Sequence, residues 1–136
     1  MKRAGTGFGD GAYSLPCGHM DGGETAAQAM QREALEELGI VVALGDLSVR
    51  CVQHRPSGAR EYFDVYLSAR AWEGEPRNRE PHKCAELAWF PAHAPPQGTL
   101  EYVRAALAAA RAAPQQVHFL EHGWPPPSDM TQGRLR

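Results

Sequence analysis

Apolar stretches alternate with polar, glycine-rich ones along the chain, and the alternation predicts the elements. Residues 4–11 (AGTGFGDG) carry four glycines and read as a loop, because glycine loses the most backbone entropy on ordering and has no side chain to pack. A short strand is predicted over 12–15, and a second Gly- and Asp-rich loop over 16–24 (PCGHMDGGE). Thr25-Ala26-Ala27-Gln28 has capping-box spacing and opens a helix. Ala27, Met30, Ala34 and Leu38 then recur as an apolar stripe, and Gly39 closes the helix just past its last turn.

From Ile40 onward the composition turns β-branched and aromatic, which predicts strands over 40–44, 47–53 and 62–69. Arg55-Pro56-Ser57-Gly58 reads as the turn between the last two. A proline- and charge-rich loop over 73–82 leads to a strand over 85–90, and 99–113 is an alanine-rich helix stopped by Pro114. This interleaving implies an α+β fold, or mixed α/β packing, over residues 1–114. Residues 115–136 form a tail in which Val117, Phe119, Leu120 and Trp124 precede a triple proline. Its first half is expected to dock on the body and its end to stay mobile.

Composition narrows the partners. A chain of 136 residues with 43% hydrophobic content forms one domain that buries roughly two-thirds of its unfolded surface. The formal charge of -2 is scattered along the chain and gives no electrostatic footprint for a nucleic-acid polymer or an anionic membrane, so a bound nucleotide is expected to be small. Cys17, Cys51 and Cys84 are odd in number and lack CxxC spacing, which argues against a disulfide framework or a structural zinc and for a reduced cytoplasm. Residues 1–10 lack the apolar run of a signal peptide, and no stretch approaches the ~20 apolar residues of a membrane span.

The chemistry concentrates on the first helix. Glu33, Glu36 and Glu37 lie at i, i+3 and i+4 and share one face, roughly opposite the apolar stripe. Like charges at these spacings destabilise a helix by tenths of a kcal/mol per pair, so a counter-charge is expected. A solvated face with Arg32 and water as partners meets that need. A hard divalent cation meets it as well, since magnesium takes carboxylate oxygens and bridges to substrate phosphates.

The wider spacing favours the cation. Gly18, five residues, Glu24, seven more, then Arg32-Glu33-Ala34-Leu35-Glu36-Glu37-Leu38-Gly39-Ile40 form a pattern that resembles the signature box of the Nudix hydrolase family. Tyr13-Ser14-Leu15-Pro16, Glu80-Pro81-His82-Lys83-Cys84 and Trp89-Phe90-Pro91 extend the resemblance to residues 3–112. It implies an α/β/α sandwich around a mixed sheet and a box that binds Mg2+ or Mn2+. The implied reaction is attack of metal-activated water on a phosphorus of a nucleoside diphosphate linked to another moiety. Position by position, the resemblance makes Glu33, Glu36 and Glu37 the charged metal ligands, with the Gly18 carbonyl beside them. It makes Glu24 and Arg32 structural, Arg32 orienting the acids. Glu33 or the loop acid Glu80 would serve as general base. The alternative is a catalytically silent domain of the same fold that senses or binds a nucleotide.

Other signals carry less. His19, His54, His82, His93, His118 and His122 lack the spacing of a zinc site, although His19 follows Gly18 and is placed to meet a phosphate. Tyr62, Phe63, Tyr66, Trp72 and Trp89 offer rings to a base, yet strand aromatics are usually packed, and Phe63 and Trp89 are read as core. Gly5-Thr6-Gly7-Phe8-Gly9 precedes no helix and makes a weak phosphate cradle. Family members normally have a hydrophobic strand ahead of the loop at Ala4, whereas here only Met1-Lys2-Arg3 stands there. The resulting edge is expected to be covered by a further upstream segment, by the tail, or by a second copy in a homodimer.

Overall fold

The computed structural model describes residues 1–125, so the expectation of a mobile end falls on 126–136, outside the described residues. Among the described residues five strands and two α-helices make an α+β architecture. In chain order these are β1 (Lys2–Arg3), α1 (Ala26–Glu33), β2 (Leu47–Ser57), β3 (Arg60–Ala69), β4 (Cys84–Glu86), α2 (Glu101–Ala112) and β5 (His118–Glu121). They form a three-stranded sheet in the order β3-β2-β5 and a two-stranded sheet of β1 and β4.

Helix α1 begins as its sequence dictates. The Thr25 hydroxyl accepts from the Gln28 amide at 3.2 Å, and the Gln28 side chain accepts from the Thr25 amide at 2.8 Å. Its continuation, Ala34–Leu38, is wound as a π-helix and ends at Gly39, whose φ of 72° suits glycine. Ala34 and Leu38 are buried with Ile40 and Val42, and Met1, Met30, Leu47 and Leu87 pack around them. This cluster anchors the helix that carries the glutamates.

Several expected strands are shorter or displaced. Residues 12–15 reduce to Tyr13, which bridges Lys2 on one side and Thr99 on the other. Ile40 and Val42 are buried and Val41 exposed, as alternation predicts. Val41 nevertheless finds a bridge partner only in Glu73, and the chain then coils into a 3-10 turn at Leu44–Asp46. The strand read over 85–90 pairs only as β4, and the helix read from Thr99 starts at Glu101.

The turn expected at 55–58 is instead the end of a long hairpin, with Arg55 opposite Tyr62 and Ser57 opposite Arg60. Within it Arg55 is ion-paired with Asp64 across the hairpin and stacks on the Tyr102 ring at 3.8 Å. Phe63 and Trp89, expected in the core, are 60% and 76% exposed. Phe63 points away from the face that holds Gln53 and Arg55 and lies flat against His54 at 4.3 Å. Trp89 lies beyond β4 and stacks on Trp72.

Short strands from both ends of the described residues pair within this chain. Lys2–Arg3 pairs antiparallel with β4, and the tail folds back so that β5 runs parallel to β2, Cys51 beside His118. Trp124 fastens the turn after β5 by donating its indole N–H to the His54 carbonyl at 3.2 Å.

Candidate active site

Loop 16–24 packs across the acidic side of α1 and its π-helical extension, and a cleft of about 410 Å3 opens there. Gly18, Arg32, Glu33, Glu36, Glu37 and Glu80 all line it. The structure therefore gathers the separate box positions and the loop acid at one place.

The glutamates are not equivalent. The Cys17 amide donates to Glu37 Oε2 at 2.9 Å, and Glu37 is 9% exposed. Glu33 reaches the same loop so closely that a Cβ added at Gly18 would lie 1.7 Å from its Oε1. Glu36 stays at the rim with half its side chain exposed and faces Arg32 at 3.3 Å. The expectation of three acids turned outward together therefore needs correction. The i→i+5 winding of residues 34–38 departs from the regular α-helical spacing behind that expectation, and Glu37 joins Glu33 against the loop while Glu36 remains apart.

Arg32 organises the outer part of the site. Its guanidinium forks onto Glu24 at 2.7 and 3.2 Å, meets Glu33 at 2.8 Å, and donates to the His19 carbonyl at 3.0 Å. These bonds hold its pKa above the ordinary arginine value, and they pull the Glu24 carboxyl below its own. Glu24 also accepts from the Asp21 amide at 2.7 Å, which closes loop 16–24 onto the helix. One guanidinium thus spaces the acids apart. Among the described residues no three acidic, histidine or cysteine side chains are already drawn into a tight cluster.

Glu80 enters from the loop after β3. The Arg79 amide donates to the Glu37 carbonyl and the Arg77 amide to the Leu38 carbonyl, so that loop caps the end of the π-helical segment. Glu80 accepts from Lys83 Nζ at 2.9 Å. Burial pushes Glu37 up to about 7, with repulsion from Glu33 and Glu80 adding to the shift against the opposing Cys17 hydrogen bond. A buried carboxyl facing two further acids is a place where positive charge is stabilised. The hard oxygen donors of Glu33 and Glu37, and the space kept by the absent Cβ at Gly18, fit a divalent cation.

Sequence reasoning missed the Cys17 amide, because a backbone donor leaves no residue-type signature. It also missed Lys83, although its i+3 spacing from Glu80 was visible. His19 lies at the cleft with its ring 6.1 Å from that of Tyr62 on β3.

A family model describing the NUDIX domain matches residues 1–122. The chain belongs to the NUDIX family. The resemblance carried by residues 18–40 is therefore borne out, and the match runs through β5. A crystal structure of a MutT NUDIX hydrolase from Burkholderia pseudomallei superposes with a TM-score of 0.67 at 32% identity, over 74% of this chain and 78% of that one. An 87-residue region is 40% identical to an 8-oxo-dGTP diphosphatase from Haemophilus influenzae, covering 62% of this chain and 60% of that protein. An 80-residue region is 34% identical to an RNA pyrophosphohydrolase from Erythrobacter litoralis, covering 59% and 43%. The chain spans about half the length of these two relatives.

Two expected results follow from the NUDIX site. Gly18→Ala should cut turnover by roughly 10- to 100-fold with little loss of stability, because the added Cβ displaces the flexible Glu33 carboxylate and not the backbone. Turnover assays paired with thermal melts check this, and unchanged turnover would show that Glu33 does not need its place beside Gly18.

The second result is a pH dependence. The folded, cation-free chain keeps a proton on Glu37 up to about pH 7, whereas the unfolded chain releases it near 4.5. Between those values the folded state binds more protons. The contribution of Glu37 to stability is therefore complete below the lower value and is lost as pH rises through the higher one. Urea unfolding in chelator should show Glu37→Gln more stable than the parent at about pH 8 and no more stable at about pH 5. A pH-independent difference would contradict the burial of an ionisable group there.

Proposed function

We propose that this NUDIX chain hydrolyses a diphosphate linkage in a nucleoside di- or triphosphate or a related small nucleotide, with Mg2+ or Mn2+ held by Glu33, Glu36, Glu37 and the Gly18 carbonyl. The observation that supports it most is the meeting of Glu33, Glu37 and Glu80 at one cleft against the Cys17-Gly18 backbone. A bound cation there would lower the pKa of a water and neutralise charge on phosphate oxygens.

The chain's own groups do the positioning. Cys17 N–H fixes the Glu37 carboxyl, and Arg32 holds Glu33 and Glu24 while leaving Glu36 at the rim. Lys83 and Arg3 bring positive charge to the same cleft and suit the phosphate oxygens. Glu80, tied to Lys83, is our choice of general base, and Glu33 is the other. The diphosphatase and pyrophosphohydrolase names of the two relatives agree with this reaction class. The intact acids favour it over a silent sensor domain.

We also propose a cytoplasmic setting on the three free thiols, and a small substrate over a polymer on the scattered charge. Among the described residues no helix is long and apolar enough to cross a membrane. The homodimer has a surface to use in exposed Phe63, Val117 and Phe119, and light scattering would then give twice the 14.9 kDa chain mass.

Resolving the products of a nucleotide panel by anion exchange tests the reaction class. A nucleoside monophosphate with phosphate or pyrophosphate is expected. Binding of a nucleotide without product would favour the sensor.

A further inference from the structure

The glycine-rich segment 5–9, a weak phosphate cradle on sequence grounds, has the amides of such a cradle already occupied. Asp10 accepts from the Thr6 amide at 3.1 Å through one carboxylate oxygen and from the Gly7 amide at 3.0 Å through the other. The Phe8 amide reaches Thr6 Oγ1 at 3.3 Å. The loop thus carries its own anion. The Thr6 hydroxyl, 2.6 Å away, and the two amides hold the Asp10 carboxyl below its usual range, so it stays charged.

What the closed loop grips is Arg3. Arg3 Nε donates to the Phe8 carbonyl at 2.8 Å and Nη2 to Thr6 Oγ1 at 3.2 Å. A Cβ added at Gly9, whose φ is 61°, would lie 3.6 Å from Arg3 Cδ and Nε, so the loop also packs on the arginine stem. Of the two acceptors within reach of the Thr6 hydroxyl, Asp10 at 2.6 Å is nearer than the Phe8 carbonyl at 2.9 Å. A proton given to Asp10 leaves the Thr6 oxygen as an acceptor for Arg3. A loop that only closed on itself would need Asp10 and Thr6 but not this grip. Among the described residues two arginines line the glutamate cleft, and the other, Arg32, is committed to Glu24 and Glu33. Arg3 is accepted by a carbonyl and a hydroxyl and keeps its full charge. Burial and Glu37 push the Cys17 thiol up while Arg3 opposes them, which places that charge beside the Cys17-Gly18 backbone.

We infer that the loop over residues 4–11 is a positioning device in which Asp10, acting through the Thr6 hydroxyl, aims Arg3 into the cleft at the phosphate groups of the substrate. The inference rests on the hydrolase reading given above. Thr6 and Asp10 are positioning residues and touch no substrate themselves. A guanidinium already fixed by two bonds loses less freedom on binding, and its planar fork meets phosphate oxygens well only when its orientation is set.

A double-mutant cycle on the full chain tests this, reading KM and kcat for a nucleoside triphosphate and, by calorimetry with Mg2+, the affinity of its α,β-methylene analogue. Thr6→Val removes the hydroxyl at nearly constant shape and should raise KM and weaken the analogue by about 10-fold, with kcat changed little. Asp10→Ala should act in the same direction, and Thr6→Ser, which keeps the hydroxyl, should stay within about 2-fold of the parent. In an Arg3→Gln background Thr6→Val should add no more than about 2-fold, because the group it positions is gone. A loss undiminished in that background, or Thr6→Val or Asp10→Ala variants that bind and turn over like the parent, would overturn the positioning role. Turnover of the triphosphate that Glu37→Gln abolishes would leave the hydrolase reading standing in that case. Analogue binding that follows the expected cycle in a chain that cleaves no member of a nucleotide panel would reject the hydrolase reading and keep the role of the loop.

Discussion

Glu37→Gln is expected to lower turnover by roughly 100-fold or more while leaving the fold intact. The substitution keeps the shape of the side chain and an oxygen able to accept from the Cys17 amide, so the loop stays seated. It removes the negative charge, and of the three box glutamates Glu37 is the one most completely withdrawn from water. A carboxylate so buried, with Glu33 and Glu80 raising its proton affinity, is costly unless a cation or a proton sits there. Steady-state assays at saturating Mg2+, with circular dichroism as the fold control, check the result. Turnover within a few-fold of wild type would remove Glu37 from the site.

Arg32→Ala should weaken stability and cation affinity together. Its guanidinium bonds Glu24, Glu33, Glu36 and the His19 carbonyl at once, and truncation strands two carboxylates that are less than a fifth exposed. Removing one partner of a fully buried pair costs several kcal/mol. Arg32 itself is partly exposed, so the loss here is smaller and is read as a lowered Tm. Cation affinity, read by titration calorimetry with Mg2+ or Mn2+, should drop by about 10- to 100-fold because Glu33 loses its orientation. Arg32→Lys keeps the charge but not the fork and should fall between the two. If Arg32→Ala moved neither quantity, Arg32 would be an ordinary solvated residue.

The parts of this protein legible in its sequence are those fixed by short-range chemistry. The capping box at Thr25 and the left-handed Gly39 are local devices, and the structure shows both. The spacing from Gly18 to Ile40 was readable because a loop and one helix must bring several acids to one point. What escaped depends on distant partners. Phe63 alternates as a core residue would, yet which face of β3 is covered depends on α2, whose Tyr102 carbonyl is bonded by Gln53 on the opposite face. The parallel pairing of β5 with β2 joins segments more than sixty residues apart, and no local signal announces it. The π-helical winding at Ala34–Leu38 has no compositional mark either, although it places Glu37 inside and Glu36 outside.

Cation-dependent hydrolysis by this chain can be tested in one paired assay. Release of phosphate or pyrophosphate from a panel of nucleoside di- and triphosphates, resolved by anion exchange, is measured for the wild-type chain with Mg2+ or Mn2+, with excess chelator, and for Glu37→Gln with the metal. Release is expected with the metal, none above background in chelator, and a loss of roughly 100-fold or more in the variant. Equal release with and without chelator, or release that Glu37→Gln leaves unchanged, would contradict this expectation.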